Sequence, residues 1–404
     1  MDKTERKYPL ITNAKLTLTN KCQLRCTYCF EEQDIKEMSY QVAKDSVDWL
    51  AVNAKEMKVE PRITLFGGEP LLRYEDIIKP LVLYIREAYG VYYHIDLTTN
   101  GLLLDEEKLK FLKENRVNFM LSIDGSEQSH NACRVYHDGK GSYKDLEKNI
   151  PKILEYYPLT RARMTVSAGN IPYLFEAITD LEAKGFQDMH ILPNVFEEWS
   201  DEVLVTAREQ MAMYKDYIIK RFEEDEIPLV FQILKQMFCK IVILQHEIEH
   251  NRYREFSQAR PCNRCGIGCT GVGSVDTEGN VFSCQHASVD TSDANPMFLG
   301  TIYSEWSEER IDRLLEMNSS TPLFSSELNC SECPLNRICT GGCVPNNYGK
   351  YGNFNQVPKV YCEWTKIVYE TALSIIQCFD KTQTNELFKD WFYGAVTGGV
   401  TLVG

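Results

Sequence analysis

The chain has 404 residues, 44% hydrophobic and 25% charged, which suits a globular protein with a large core and an appendage rather than one minimal domain. Its 58 acidic against 44 basic residues leave a net charge of −14, the wrong sign for a nucleic-acid surface. No apolar run reaches the roughly 18 residues of a membrane span, and the charged N-terminus lacks a signal peptide's apolar core, so a cytoplasmic protein is expected, with neither nucleic acid nor membrane as partner.

Six apolar, β-rich runs recur in chain order at 15–19, 63–66, 94–98, 119–123, 163–167 and 190–192. Helical patterns separate them at 39–57, 77–88, 106–113, 143–156 and 171–183. Such alternation predicts a parallel sheet with helical crossovers, either a partial barrel or an open doubly wound sheet. Every predicted strand but the fifth runs into a loop rich in Gly, Asn, Thr or Asp: Thr19-Asn20, Gly67-Gly68-Glu69-Pro70, Thr99-Asn100-Gly101, Asp124-Gly125 and Pro193-Asn194. Sites in parallel α/β proteins lie at those ends.

The pattern is helical from 201 to about 256, where Val230, Leu234, Met237, Ile241, Leu244 and Ile248 make one amphipathic stripe. Within it, His246-Glu-Ile-Glu-His250 matches a zinc-protease motif. The histidine falls on the polar face and no third ligand follows, so the match is set aside. From 261 to about 364 the composition turns to Cys, Gly and turn residues. That region reads as a small domain stapled by metal rather than by a core of its own. The expected division is 1–220 for the barrel, 221–258 for bridging helices, 259–365 for the cysteine-rich domain and 366–404 for a C-terminal helix and tail. The last 14 residues carry no side-chain charge; they are expected to dock on the body or edge a peptide groove by strand addition.

Fifteen cysteines in a cytoplasmic chain are not a disulfide framework. Cys133, Cys239 and Cys378 read as buried hydrophobes; the other twelve fall in three groups. Cys22, Cys26 and Cys29 follow the first strand with no fourth cysteine nearby. A [4Fe–4S] cubane takes one thiolate per iron, so three thiolates leave one iron open to a small molecule. A structural zinc site would be closed by four ligands. Tyr28 stands beside the last cysteine. One strand later comes Gly67-Gly68-Glu69-Pro70, where glycines would admit a ligand close to the backbone and Glu69 would meet an amino group.

Cys22-x3-Cys26-x2-Cys29 with Tyr28 and Gly-Gly-Glu-Pro resembles the radical S-adenosylmethionine (SAM) superfamily over residues 12–220. The resemblance implies a partial (β/α)6 barrel of the TIM type. It also implies a cluster that binds SAM through its open iron, and reductive cleavage to a 5′-deoxyadenosyl radical that abstracts a substrate hydrogen. Gly67, Gly68, Glu69 and Pro70 would then hold the methionine amino group, with Thr99, Ser122 and Arg134 also lining the SAM site; the alternative for Arg134 is a surface ion pair.

Downstream, Cys330-x2-Cys333-x5-Cys339-x3-Cys343 and Cys362 follow a hairpin expected over 273–283 that turns at Gly279 and is flanked by Cys269 and Cys284. Zinc knuckles would also use such pairs. The pattern resembles the SPASM domain, which implies two auxiliary [4Fe–4S] clusters and three in all. Cys330, Cys333, Cys339 and Cys362 would hold one. Cys343 and Cys284 would hold the other together with some of Cys262, Cys265 and Cys269, three candidates where two suffice.

Related SPASM proteins mostly modify peptides or proteins. The expected activity is hydrogen abstraction from a ribosomally made peptide with thioether or carbon–carbon crosslinking. Formylglycine formation on a sulfatase and peptide epimerisation are the alternatives. Sulfatase maturases carry an aspartate base directly after the hairpin's last cysteine; Gln285 stands there, followed by His286, the nearest acid/base candidate because an ordinary imidazole titrates near neutrality. His286 could equally be a polar neighbour of the cluster. A precursor peptide and a flavodoxin- or ferredoxin-type reductant are the expected partners. Only 21 residues precede Cys22, so leader recognition, if any, would fall to a separate protein or the barrel surface.

Overall fold

The computed structural model describes residues 10–31, 36–249, 267, 271–287, 291–292, 294–304, 307–319, 330, 332–336, 338–339, 341–382 and 385–398, with backbone alone for 246–249, 317–319, 380–382 and 395–398. Six strands form the barrel: β1 (Asn13–Thr19), β2 (Arg62–Gly67), β3 (His94–Thr99), β4 (Val117–Ser122), β5 (Arg161–Val166) and β6 (Asp188–Pro193). They pair in parallel in the order β6-β5-β4-β3-β2-β1. The helices between them are α1 (Tyr40–Met57), α2 (Lys79–Ala88), α3 (Glu106–Glu114), α4 (Glu127–Asn131), α5 (Tyr143–Glu147), α6 (Ile150–Tyr156) and α7 (Leu174–Ala183).

Side-chain alternation along the strands divides the barrel into two environments. Residues facing the helices, such as Leu16, Leu65, Leu97, Leu121, Met164 and Ile191, are fully buried. Of those facing inward, Lys15, Thr64, Thr98, Ser122, Arg163 and His190 keep partial exposure. The lumen is therefore not packed shut.

Proline explains where the helices depart from the sequence pattern. One helix was expected over 143–156, but it splits into α5 and α6 because Pro151 lacks an N–H and crowds the carbonyl four residues back. The helix expected from 77 begins as a π turn, Tyr74–Ile78, and becomes α-helical only where Pro80 sits in its first turn. Ser39 and Asp105 cap α1 and α3 by accepting from the N–H of Val42 and Lys108.

The cysteine-rich part does not stand apart from the barrel sheet. β7 (Val272–Val275) pairs in parallel with β1, pairing Lys15 with Ser274. β8 (Asn280–Phe282) and β9 (Phe298–Thr301) continue antiparallel, so one nine-stranded sheet runs from β6 to β9. The hairpin turns at Gly279, φ +88°, as expected. Two helices, α8 (Asp201–Glu223) and α9 (Gln232–Glu249), follow the barrel, and α10 (Glu308–Ser319) and α11 (Val344–Tyr351) follow the hairpin. Last come α12 (Lys359–Thr382) and α13 (Glu386–Gly398). α12 packs on α8 and α9, and α13 on α9. The buried apolar residues of these helices belong to the same core as the barrel's. No helix among the described residues is long and apolar enough to cross a membrane.

Residues 391–398 of the expected tail are the end of α13 and not an added strand. Trp391 and Phe392 lie against Phe238, with ring centroids 5.9 and 5.6 Å away. The rest of the tail, and His250 of the zinc-protease motif with the side chain of His246, fall outside what is described.

Candidate functional site

The three-cysteine loop leaves β1 at Thr19 and is held down by its neighbours. The Arg25 and Thr27 N–H groups donate to the Val135 and Cys133 carbonyls, and Glu69 N–H donates to the Lys21 carbonyl. Gly67 and Gly68 make this approach possible. A Cβ at either would stand 2.2 or 2.3 Å from the carbonyl oxygen of Thr19 or Lys21. The glycines thus admit the cysteine loop's own backbone, a close approach that the sequence assigned to a ligand.

Glu69 is fully buried behind the loop. One carboxylate oxygen accepts from Thr99 Oγ1 (2.8 Å) and Leu71 N–H (3.0 Å), the other from Asn100 N–H (2.8 Å). Burial raises its pKa to about 7 against the pull of those donors. Of about four lone-pair sites, one is left for a ligand amino group. Pro70 opens the 3₁₀ turn that Glu69 caps. Asn100, whose Nδ2 reaches to 3.8 Å of Cys22 Sγ and whose Oδ1 accepts from Gln23, ties the end of β3 to the loop.

Tyr28 is anchored at its hydroxyl end. Its hydroxyl bonds Asp124, and the Arg134 guanidinium lies 5.4 Å from its ring centroid. Asp124 also accepts from Arg134 Nη2 (3.1 Å) and Thr165 N–H (3.1 Å). Arg134 is thus a buried partner of Asp124, in place of the surface pair considered from sequence. Burial works against the Arg134 charge, yet Asp124 and Tyr28 more than offset it and hold the group protonated. Ser122 pairs across strands with Arg163, facing the lumen. The sequence marked Asp124 only as a loop residue; its central role was hidden because its partners come from three separate segments.

Burial pushes the Cys22 and Cys26 thiols up to about 12 and about 11, so thiolates form here when a metal shares their charge. Cys330, Cys333, Cys339 and Cys362 lie close enough for their charges to interact, whereas Cys284 and Cys343 meet around Lys15. Cys262, Cys265 and Cys269 are outside the described residues. Among those described, no three His, Cys, Asp or Glu side chains converge tightly enough for a single ion. An iron–sulfur cluster takes one thiolate per iron, and thiols are the donors these sets provide.

A cavity of about 450 Å³ opens beside the loop. One wall carries Tyr28, Cys29 and Phe30, another Asn194, Phe196 and Glu197 after β6, and a third Asp276, Thr277, Gln285 and His286 from the hairpin region. Phe30 packs tilted against the His286 ring at 4.3 Å and stacks on Phe66 at 6.3 Å. Burial, with Lys15 and Arg163 nearby, pushes the His286 pKa down to about 3. The imidazole is neutral at neutral pH and a weaker base than the sequence led one to expect. The carboxylates on the walls are engaged. Asp276 accepts from Glu278 N–H, Asn280 N–H and Asn280 Nδ2, and Glu197 from Ala168 N–H. Lys350 of α11 donates to the Val195 and Glu197 carbonyls at 2.8 and 3.2 Å, fixing the second wall. Phe30, Phe196 and Glu197 escaped the sequence reading because no spacing relates them.

Residues 16–171 match the radical SAM superfamily. An uncharacterised protein of Methanocaldococcus jannaschii is 32% identical over 179 residues, which are 43% of this chain and 59% of that one, so the chain spans less than two thirds of that relative. The cysteine-type anaerobic sulfatase-maturating enzyme of Clostridium novyi is 23% identical over 90% of this chain and 96% of its own. The fold is shared with native anSMEcpe holding AdoMet and the Cp18Cys peptide, at TM-score 0.67, 19% identity, and 92% and 99% coverage. It is also shared with Streptococcus suis SuiB bound to its precursor peptide SuiA, at TM-score 0.56, 18% identity, and 88% and 76% coverage.

Proposed function

We propose, from the match of residues 16–171 to the radical SAM superfamily, that the chain is a radical SAM enzyme that modifies a ribosomally made peptide, abstracting a hydrogen and forming a thioether or carbon–carbon crosslink. The observation that carries this reading is the position of the cavity. It lies between the loop of Cys22, Cys26 and Cys29 and the segment directly after Cys284. A volume of about 450 Å³ accommodates one or two side chains with their backbone. The solved relatives of the same fold that hold peptides support a peptide occupant.

A [4Fe–4S] cluster with SAM, the pair the family implies, would supply at this place a 5′-deoxyadenosyl radical as hydrogen acceptor. Cys22, Cys26 and Cys29 would hold the cluster. Glu69, Thr99 and Ser122 would face the SAM, with Gly67, Gly68 and Pro70 setting the turn and Tyr28 and Arg134 holding the loop in register through Asp124. Cys330, Cys333, Cys339 and Cys362 would hold one auxiliary cluster, and Cys284 and Cys343 would contribute to another. Phe30 and His286 line the cavity, with Phe66 stacked on Phe30, and the neutral His286 offers a hydrogen bond to the substrate more readily than it takes up a proton. A flavodoxin- or ferredoxin-type protein would supply the electron.

Formylglycine formation is the second reading, favoured by the near full-length likeness to a sulfatase-maturating enzyme. Gln285 at the position of the expected aspartate weighs against it. Anaerobically reconstituted protein with dithionite and SAM should release 5′-deoxyadenosine, and a variant with alanine at 22, 26 and 29 should not; equal release from both would refute the radical chemistry. Mass spectrometry of a short peptide encoded beside the gene, after co-expression, separates the reactions. Loss of two hydrogens marks crosslinking, and unchanged mass with deuterium uptake marks epimerisation. Formylglycine in a co-expressed sulfatase, with the peptide unmodified, would favour the second reading.

A further inference from the structure

Two phenylalanine rings on different walls of the cavity keep much of their surface uncovered, Phe30 at 39% and Phe196 at 45% exposure. Neither is loose. Phe30 is backed by Phe66, stacked at 6.3 Å, and by the tilted His286 ring at 4.3 Å. Phe196 follows β6 on a loop held from two sides. On the barrel side, Asn194 N–H donates to the Val166 carbonyl (2.7 Å), and Asn194 Oδ1 accepts from Phe196 N–H (3.2 Å). From α11, the Lys350 ammonium donates to the carbonyls on either side of Phe196, those of Val195 and Glu197, and to the Glu198 carboxylate at 2.6 Å. These three acceptors match its three N–H groups. The Phe196 ring leans on the same helix, where a Cβ at Gly349 would stand 3.6 Å from its Cε1.

The chemistry of the walls favours an uncharged occupant. Both oxygens of Asp276 accept from Glu278 and Asn280, and Glu197 accepts from Ala168 N–H. A cationic group entering here would have to compete with those donors or lie unpaired. An apolar ring has no such penalty and removes the open faces of Phe30 and Phe196 from water. Ring-on-ring contact adds to that gain through offset or edge-on geometry. Because both rings are fixed before anything binds, little ordering opposes the contact.

We propose that Phe30 and Phe196 form an apolar subsite for an aromatic side chain of the peptide substrate, and that Lys350 is a positioning residue that holds Phe196 in it. The inference rests on the reading of the cavity as a peptide site and adds the residue class that enters: an aromatic one, ahead of small or charged ones.

The test is binding, not turnover. Cluster-loaded, full-length protein with SAM is titrated anaerobically by calorimetry with acetyl-Ala-Ala-X-Ala-Ala-amide peptides in which X is Phe, Ala, Asp or Lys. The Phe peptide should bind about tenfold or more tighter than each of the others, roughly 1.4 kcal/mol. Phe30→Ala and Phe196→Ala should each bring the Phe-to-Ala ratio close to one, and Phe196→Tyr should keep it. Lys350→Met should lower the same ratio and Lys350→Arg should restore most of it; an equal loss for all four peptides would reduce Lys350 to a structural role and overturn its part. Equal binding of the four peptides by the wild type overturns the subsite while leaving a peptide site in place, and binding of none overturns both. A Phe preference that survives either Ala variant also overturns it. So does a loss of SAM affinity in those variants equal to the loss for the Phe peptide, because the rings would then serve SAM. Phe-selective binding without release of 5′-deoxyadenosine would discredit the radical chemistry and uphold the subsite.

Discussion

Glu69 accepts hydrogen bonds from Thr99, Leu71 and Asn100 while fully buried, and its pKa rises from 4.5 to about 7. An acid raised on folding keeps its proton in the native state after the unfolded chain has lost it. Its contribution to stability is therefore greatest at or below pH 4.5 and falls as the pH climbs to about 7. Melting temperatures of the metal-free protein across that range should show a decline that Glu69→Gln flattens; an identical slope in both would remove Glu69 as its source. Asp124 carries a different kind of burden. Asp124→Asn leaves the buried Arg134 charge without its counter-charge, at a cost of about 3–5 kcal/mol. Denaturant unfolding should show that loss, and pairing the change with Arg134→Met should recover part of it. Strict additivity of the two single losses would mean that the pair is not coupled.

At the scale of elements, the aromatic contacts between α8 and the C-terminal helices stand out. Phe388 of α13 stacks on Phe379 of α12 at 4.1 Å and meets Phe222 of α8 at 5.2 Å. Phe388→Ala should lower stability by about 3–5 kcal/mol through the cavity it leaves. Calorimetric melting checks this, and a change under 1 kcal/mol would mean that the C-terminal helix closes the gap by shifting. The hairpin is bound more tightly to the barrel than a separately stapled domain would be, since β7 takes its hydrogen bonds from β1. That pairing puts Gln285 and His286 opposite the three-cysteine loop. Lys350, reaching from α11 to the loop after β6, braces the wall between them.

For the molecule as a whole, three cysteine groups sit within a chain of net charge −14, and thiolates bearing clusters would deepen that negative field. Lysines answer it locally: Lys15 beside Cys284 and Cys343, Lys240 beside Cys339, and Lys366 beside Cys362 and Cys333. Three cubanes would bring about twelve irons per chain. Iron and sulfide assays after anaerobic purification check this, and a value near four would leave only the SAM-binding cluster. Chelation should loosen the segment around 330–362 first, read as faster amide exchange there than in β1–β6, because metal binding in such sites is folding energy. Equal loss of protection in both regions would show that the barrel depends on the metal as much.

Much of this was legible along the chain because it is periodic or local. Alternation and turn chemistry announced β1–β6 and the hairpin at Gly279, and cysteine spacing marked three groups of candidate ligands. What the fold alone decided joins residues that are distant in sequence. Asp124 binds Tyr28 across 96 positions, β7 adds to β1 across more than 250, and Phe30 meets the ring of His286 from the hairpin region. Spacing cannot report such encounters, because a carboxylate's charge or an imidazole's basicity is set by whatever surrounds it after the chain has closed.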